Sequence, residues 1–336
     1  MNDNTLDHGA STWAVVLAGG DGTRLRALTQ DADGIPVPKQ FCSLQGGPCL
    51  LEDALQRASA VAPFRHLCAV VAAQHRRWWH GLLGNLPEQN VIVQPHNRGT
   101  AHGILLPLLH ILARDPDAHV VLLPADHYVG DEGTLAIALR RAADLARAND
   151  RAVYLLGIEP EAPDTELGYI LPSPRRFSGS PSQVLQFVEK PNLARARALI
   201  DQGALWNAFI IAGSVWALLR LFDASFSSTI VSISHIAERR IELESALFDQ
   251  LYQRLPSIDF SHGVLEGREA TLQVLPVPRC GWTDLGTPQR IGMTLQRLRE
   301  NSDAPLRHTR TFHLNLAEQY ARGNQAAARI PAVRAR

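Results

Sequence analysis

The stretch Trp13–Leu25, "WAVVLAGGDGTRL", sets the architecture of the whole chain. Ala14, Val15, Val16 and Leu17 form an apolar run that breaks abruptly into Gly19, Gly20 and Gly22, followed by Thr23 and Arg24. That pattern is a buried strand emptying into a tight turn. Glycine takes positive φ and carries no Cβ, so such a turn can bring several backbone N–H groups to one point and hold a phosphate there. The turn is not a P-loop, because no Lys-Ser/Thr pair follows its last glycine at the required offset. Nor is it GxGxxG, because Leu25 stands where the third glycine would fall. Alone, it is as consistent with a plain βα connection as with a phosphate cradle. Arg24 beside it and Lys39 in "PVPKQF" add two cations, and two cations converging on a glycine turn point to a polyphosphate.

Beyond this turn, short apolar runs alternate with longer amphipathic ones, the order of strands that cross over through helices onto a parallel sheet. The pattern predicts strands over Ala14–Ala18, Leu67–Ala72, Val91–Gln94, Val120–Pro124 and Ala152–Ile158. It predicts helices over Leu51–Ala60, Gln74–Leu83, Thr100–Ala113 and Thr134–Ala148, the third apolar nearly all round and so deep in the fold despite Pro107. After Ile158, loops and shorter strands with Pro and Gly punctuation take over, with two further apolar helices near Val215 and Glu242. From about Asn301 the chain is polar and weakly patterned, and is expected to be an appendage.

Composition narrows the class. Lys plus Arg and Asp plus Glu both number 33, so no global field draws the chain to nucleic acid or an anionic membrane, and any anion site must be local. The cluster "QHRRWWHGLL" at Gln74–Leu83 reads as aromatics packed on the sheet with wet arginines rather than as a nucleic-acid platform. The first twelve residues lack an apolar signal core, no run reaches the length of a membrane span, and Cys42, Cys49, Cys68 and Cys280 show no CxxC spacing. Reduced thiols and a cytoplasmic location are the expectation. No HxxxH or paired Cys/His spacing indicates zinc.

"LAGGDGTRL" followed by "PKQ" resembles the signature of the sugar-1-phosphate nucleotidyltransferases, and within them the mannose-1-phosphate guanylyltransferase branch. Further fragments follow in that family's order: "QPHNRGTA" at Gln94–Ala101, "LPADHYV" at Leu123–Val129, "LGYI" at Leu167–Ile170, "FVEKP" at Phe187–Pro191, "WNAFI" at Trp206–Ile210, "SIDF" at Ser257–Phe260 and "GWTDLG" at Gly281–Gly286. The resemblance spans about Trp13 to Leu298. It implies an α/β, Rossmann-like nucleotidyltransferase fold with a mostly parallel central sheet flanked by helices. One domain over 1–300 is expected, with a nucleotide-binding half at about 13–150, a sugar-phosphate-binding half at about 151–300, and an appendage at 301–336.

The implied reaction joins two polyanions: a sugar 1-phosphate oxygen attacks the α-phosphorus of a nucleoside triphosphate in line, and pyrophosphate leaves. Such transfer needs positioning and charge neutralisation more than a protein nucleophile. The resemblance implies Arg24, Lys39, Asp126, Lys190 and Asp284 as catalytic residues. Leu17, Ala18, Gly19, Gly20, Gly22, Thr23, Arg24, Gln94, Gly99 and Thr100 would bind the nucleotide. Gly168, Tyr169, Glu189, Lys190 and Asn207 would bind the sugar phosphate, and Asp126 with Asp284 would share Mg²⁺, which takes few protein ligands. Each aspartate has a plainer reading as a cap of the helix that follows it. As strand neighbours, Glu189 and Lys190 are expected to point to opposite faces.

Departures from the family pattern leave the substrates open. Lys39 follows Arg24 by 15 positions, a longer segment than usual, and Arg26 and Ala27 replace a Trp-Pro pair. Gly99 stands for a polar side chain, His102 for a proline and Gln94 for a common Glu; "WNAF" stands for "WNSG". GTP with mannose 1-phosphate leads, with dTTP or another triphosphate and glucose 1-phosphate as the alternative pair. A catalytically silent sugar-nucleotide sensor is the alternative class, and the oligomeric state is open, a homo-oligomer included.

Overall fold

The strands of the computed structural model are β1 (Thr12–Ala18), β2 (Leu67–Ala72), β3 (Val91–Gln94), β4 (His119–Pro124), β5 (Val153–Ile158), β6 (Tyr169–Pro172), β7 (Ser182–Val188), β8 (Leu205–Ser214) and β9 (Leu272–Val277). The helices are α1 (Leu50–Ala58), α2 (Arg76–Trp79), α3 (Gly99–Leu112), α4 (Glu132–Ala148), α5 (Leu193–Asp201), α6 (Val215–Leu219), α7 (Ser227–Glu238), α8 (Ala246–Arg254) and α9 (Pro288–Glu300). The structure describes residues 11–300 apart from 32, 45, 175–178, 223 and 239–245. The expected helix near Glu242 and the appendage after Asn301 lie outside the described residues.

All of β1 except Leu17 is buried, because it sits inside the sheet and is covered on both faces. It pairs in parallel with β2 on one side and β4 on the other, and β3 continues the parallel run beyond β2. The sheet order is β3-β2-β1-β4-β8-β5-β9-β7-β6. Strand β8 runs antiparallel to β4, β5 and β6, and β7 antiparallel to β6 and β9; the other strands share one direction, so most strands run the same way although the pairings are mixed.

The two-residue period of β1 sets the layers. Ala14, Val16 and Ala18 face a core completed by Leu51 of α1, Leu139 of α4 and Leu199 of α5. Trp13 and Val15 face the other, completed by Ile104 and Leu108 of α3, Val215 of α6 and Phe248 of α8. Helix α3 is buried along most of its length, as its all-round apolar pattern predicts. The expected helix over Gln74–Leu83 is corrected to a 3₁₀ turn at Ala73–His75 and the four residues of α2; Gly81 and Gly84 follow closely and lower the helical preference there. Within it Trp79 is buried and donates to Ala72 O (2.9 Å), while Arg77 lies over Trp78 (3.9 Å to the ring centroid). All four cysteines are buried and unpaired. No described helix is long and apolar enough to cross a membrane.

Candidate functional site

The carboxyl ends of β1, β3 and β4 open into a cavity of about 490 Å³, where an open α/β sheet places its ligands. Leu17, Gly19 and Gly20 line it from the glycine turn, Gln94 from the end of β3, Gly99 and Thr100 from the start of α3, and Asp126 and His127 from the loop after β4. A Cβ on Gly19 would fall 2.6 Å from Gln94 Nε2, so the glycine is what lets that amide lie across the turn. Gln94 is buried and its Oε1 has no hydrogen-bond partner. The turn is held from behind by Gln40 Nε2, which donates to Ala18 O and Gly20 O (2.8 Å each). Gly22 adopts φ +58° against the backbone of Lys39. Ala18, Gly22 and Thr23 therefore shape the turn without lining the cavity.

Lys39 joins two segments remote in sequence. Its buried ammonium pairs with Asp126 Oδ2 at 3.0 Å and also donates to the backbone oxygen of Asp284. Burial pushes the Asp126 carboxyl up, but the Lys39 and His127 charges outweigh it and hold it below the usual carboxylate range. Asp284 is likewise driven up by burial and pulled lower on balance by Arg290, which donates to its Oδ1 and also pairs with Asp164 at 2.8 Å. His127, stacked edge-on against Trp282, is pushed down to about 4 by burial, despite Asp126 and Asp284 nearby. Neither aspartate caps a helix. Asp131 caps α4 by accepting from Thr134 N (3.0 Å), and Thr287 Oγ1 accepts from Arg290 N (3.3 Å) at the start of α9.

On the other side, Glu189 and Asn207 gather around Gly168. A Cβ there would meet Glu189 Oε2 at 2.6 Å and Asn207 Cβ at 3.4 Å, and Asn207 N donates to Gly168 O (2.8 Å). Strand β7 stops at Val188, and Lys190 adopts φ +44°, so Glu189 and Lys190 do not alternate as strand neighbours; their charged groups meet at 3.6 Å. The expectation of opposite faces is corrected on that account. Burial raises the Glu189 carboxyl above its usual range, against the pull of Lys190.

Two further expectations are corrected. Arg24 does not converge with Lys39 on the turn: its exposed guanidinium reaches Glu166 at 2.9 Å, just before the "LGYI" segment. Tyr169 is fully buried, and its hydroxyl donates to Asp164 O (2.9 Å) and accepts from Asp164 N (2.8 Å), so its side chain braces a loop rather than facing a ligand.

Sequence reasoning missed Asn97, Ser257 and Asp259 in the cavity wall, and Phe209, from the "WNAF" departure, lines it too. The left-handed residues Lys190, Phe209 and Leu285 sit in "FVEKP", "WNAFI" and "GWTDLG", and such strain concentrates at functional sites. For Phe209 a signal existed: "WNSG" carries glycine where this chain has a residue at φ +54°.

A profile described as nucleotidyl transferase matches residues 13–300. The chain is 31% identical over 295 residues to a mannose-1-phosphate guanylyltransferase 2 of Escherichia coli O157:H7, covering 83% of this chain and 58% of that one. It is 28% identical to the xanthan biosynthesis protein XanB of Xanthomonas campestris pv. campestris, covering 94% of this chain and 66% of that protein. The chain thus spans between 58% and 66% of the length of these relatives. Among solved structures, one from Thermus thermophilus described as a "mannose-1-phosphate geranyltransferase" aligns with TM-score 0.69 at 30% identity, covering 84% of this chain and 79% of that one.

Proposed function

The chain belongs to the nucleotidyl transferase family, and we propose accordingly that it transfers the nucleotidyl group of a nucleoside triphosphate, GTP in the leading reading, to mannose 1-phosphate. The observation that carries the reading is Lys39, whose ammonium ties Asp126, at the nucleotide cavity, to the Asp284 segment. Relatives named mannose-1-phosphate guanylyltransferase support the choice of substrates.

In the reaction, an oxygen of the sugar 1-phosphate forms a bond to the α-phosphorus while the bond from that phosphorus to the bridging oxygen breaks, and pyrophosphate departs with the electron pair. Backbone N–H groups of the glycine turn hold the triphosphate. Gln94 lines the cavity where the base would lie, Glu189 accepts from sugar hydroxyls, and Lys190 holds the sugar phosphate. Lys39 keeps Asp126 in place and adds positive charge beside the reacting phosphate. Asp126 and Asp284 fit Mg²⁺ by donor chemistry: both are hard oxygen ligands held ionised, and Asp126 retains 38% of its side-chain exposure on the cavity. Among the described residues no cluster of three or more His, Cys, Asp or Glu side chains is arranged for a metal, so substrate oxygens would complete such a site. When bound, the ion supplies charge neutralisation between the two anionic reactants.

Lys190 gives the test that separates the two substrate halves. A lysine–phosphate contact is a charge-assisted bond, and at a half-exposed site its removal should weaken sugar-phosphate binding roughly tenfold. Lys190→Ala is therefore expected to raise KM for the sugar 1-phosphate while leaving KM for the nucleotide nearly unchanged. Equal losses for both substrates would make Lys190 a structural residue and remove the sugar-side assignment.

A further inference from the structure

The cavity has one wall that the transfer chemistry leaves unused. Segment 257–260 crosses the start of α3: Ile258 N donates to Arg98 O (3.1 Å), Ala101 N donates to Ile258 O (3.1 Å), and Phe260 N donates to Thr100 Oγ1 (2.7 Å). With its acceptor side taken by Phe260 N, the Thr100 hydroxyl donates to Asp259 Oδ2 (3.2 Å), and His262 N donates to Asp259 Oδ1 (3.1 Å). The Asp259 carboxylate is thus fixed by two donors in the cavity wall, beside Ser257 and Phe209, and remains exposed.

A carboxylate has about four acceptor positions and no donor, so Asp259 keeps roughly two for a ligand. An anionic phosphate is repelled there; a hydroxyl is not. Thr100, its anchor, lies one helical turn before Gly103, which packs against Gln94, the residue read as facing the base, and Gln94 in turn lies across Gly19 of the glycine turn. The group between base and phosphates in a nucleotide is the ribose. Glu189 lies within electrostatic reach of Asp259 but does not line this cavity, so the two carboxylates face different hydroxyl-bearing groups.

We propose that Asp259 accepts hydrogen bonds from the ribose hydroxyls of the bound nucleoside triphosphate and makes the site selective for ribonucleotides over deoxyribonucleotides. The inference rests on the transferase reading for its ligand, and it disfavours dTTP as the natural donor.

The test measures Kd of the full chain for GTP and dGTP by calorimetry, without sugar phosphate, for wild type, Asp259→Ala and Asp259→Asn; if neither guanine nucleotide binds, the matched pair of whichever base does bind is used. The wild type should favour the ribonucleotide by roughly tenfold, the worth of a hydroxyl bond to a carboxylate. Asp259→Ala should weaken GTP by about that factor and dGTP by less than about threefold, bringing the ratio toward one. Asp259→Asn, which still accepts from Thr100, should keep the wild-type melting temperature and show an intermediate ratio. Equal wild-type affinities, equal loss of both nucleotides in Asp259→Ala, or no loss of either would each overturn the proposal. A preserved ribose preference with no turnover on any sugar 1-phosphate would overturn the transferase reading and leave the role of Asp259 standing.

Discussion

Asp126→Asn and Asp284→Asn are each expected to cost roughly 3 kcal/mol or more in transition-state stabilisation, a rate loss above about a hundredfold, while the double mutant costs little more than the worse single. On the proposed reading both carboxylates serve one charge-neutralising centre although they stand 158 positions apart in sequence, and Lys39 touches both segments. Groups that act as a unit lose their joint contribution when either is removed, so the losses do not add. The pocket is not simply anionic: Lys39 offsets Asp126 and Arg290 offsets Asp284, and both aspartates are held below the usual carboxylate range. Asp126→Asn therefore leaves the buried Lys39 ammonium without its ion-pair partner, and a lower melting temperature should accompany the loss of rate. The check is kcat/KM across a Mg²⁺ titration for both singles and the double, with unfolding followed in parallel. Near-normal turnover and metal dependence in either single mutant would show that its carboxylate is structural.

Gly99→Ala is expected to destabilise the fold by roughly 2 to 4 kcal/mol, the sum of a left-handed backbone penalty and an unrelieved clash. Gly99 adopts φ +82°, and a Cβ there would fall 2.1 Å from Ile258 O and 2.6 Å from Ile258 C. Backbone cannot move aside as a side-chain tip can, least of all where Ile258 is hydrogen-bonded on both sides, to Arg98 and to Ala101. From sequence, Gly99 looks like a lost polar contact to the base; in the fold, the space such a side chain would take is filled by a crossing segment. Base recognition is better probed at Gln94. Denaturant unfolding of Gly99→Ala decides the matter: a midpoint equal to wild type would show that the crossing is loose and that the wall carrying Asp259 is not fixed by it.

The strand–glycine punctuation around Trp13–Leu25 and the apolar runs at Leu67–Ala72 and Val91–Gln94 located the parallel half of the sheet nearly to the residue, because buried strands announce themselves by local composition. The fragments carried by the resemblance also converge in space, with Lys39 beside Asp126 and Gly168 beside Glu189 and Asn207. Local pattern could not show where an exposed arginine comes to rest: Arg24 finds a partner 142 positions away. Nor could it show that Lys190 leaves its strand in a left-handed conformation, since no glycine marks the place. Asp259 escaped although "SIDF" is among the fragments of the resemblance, because only the fold shows Thr100, 159 positions earlier, holding its carboxylate in the cavity wall.

The transferase reading as a whole stands or falls on a matrix of nucleoside triphosphates against sugar 1-phosphates, incubated with the full chain and Mg²⁺ and read by pyrophosphate release. Release should require both substrates, be greatest for GTP with mannose 1-phosphate, and match formation of the corresponding nucleoside-diphosphate sugar one for one. Pyrophosphate that appears without a sugar 1-phosphate, or tight nucleotide binding with no release from any pair, would contradict it.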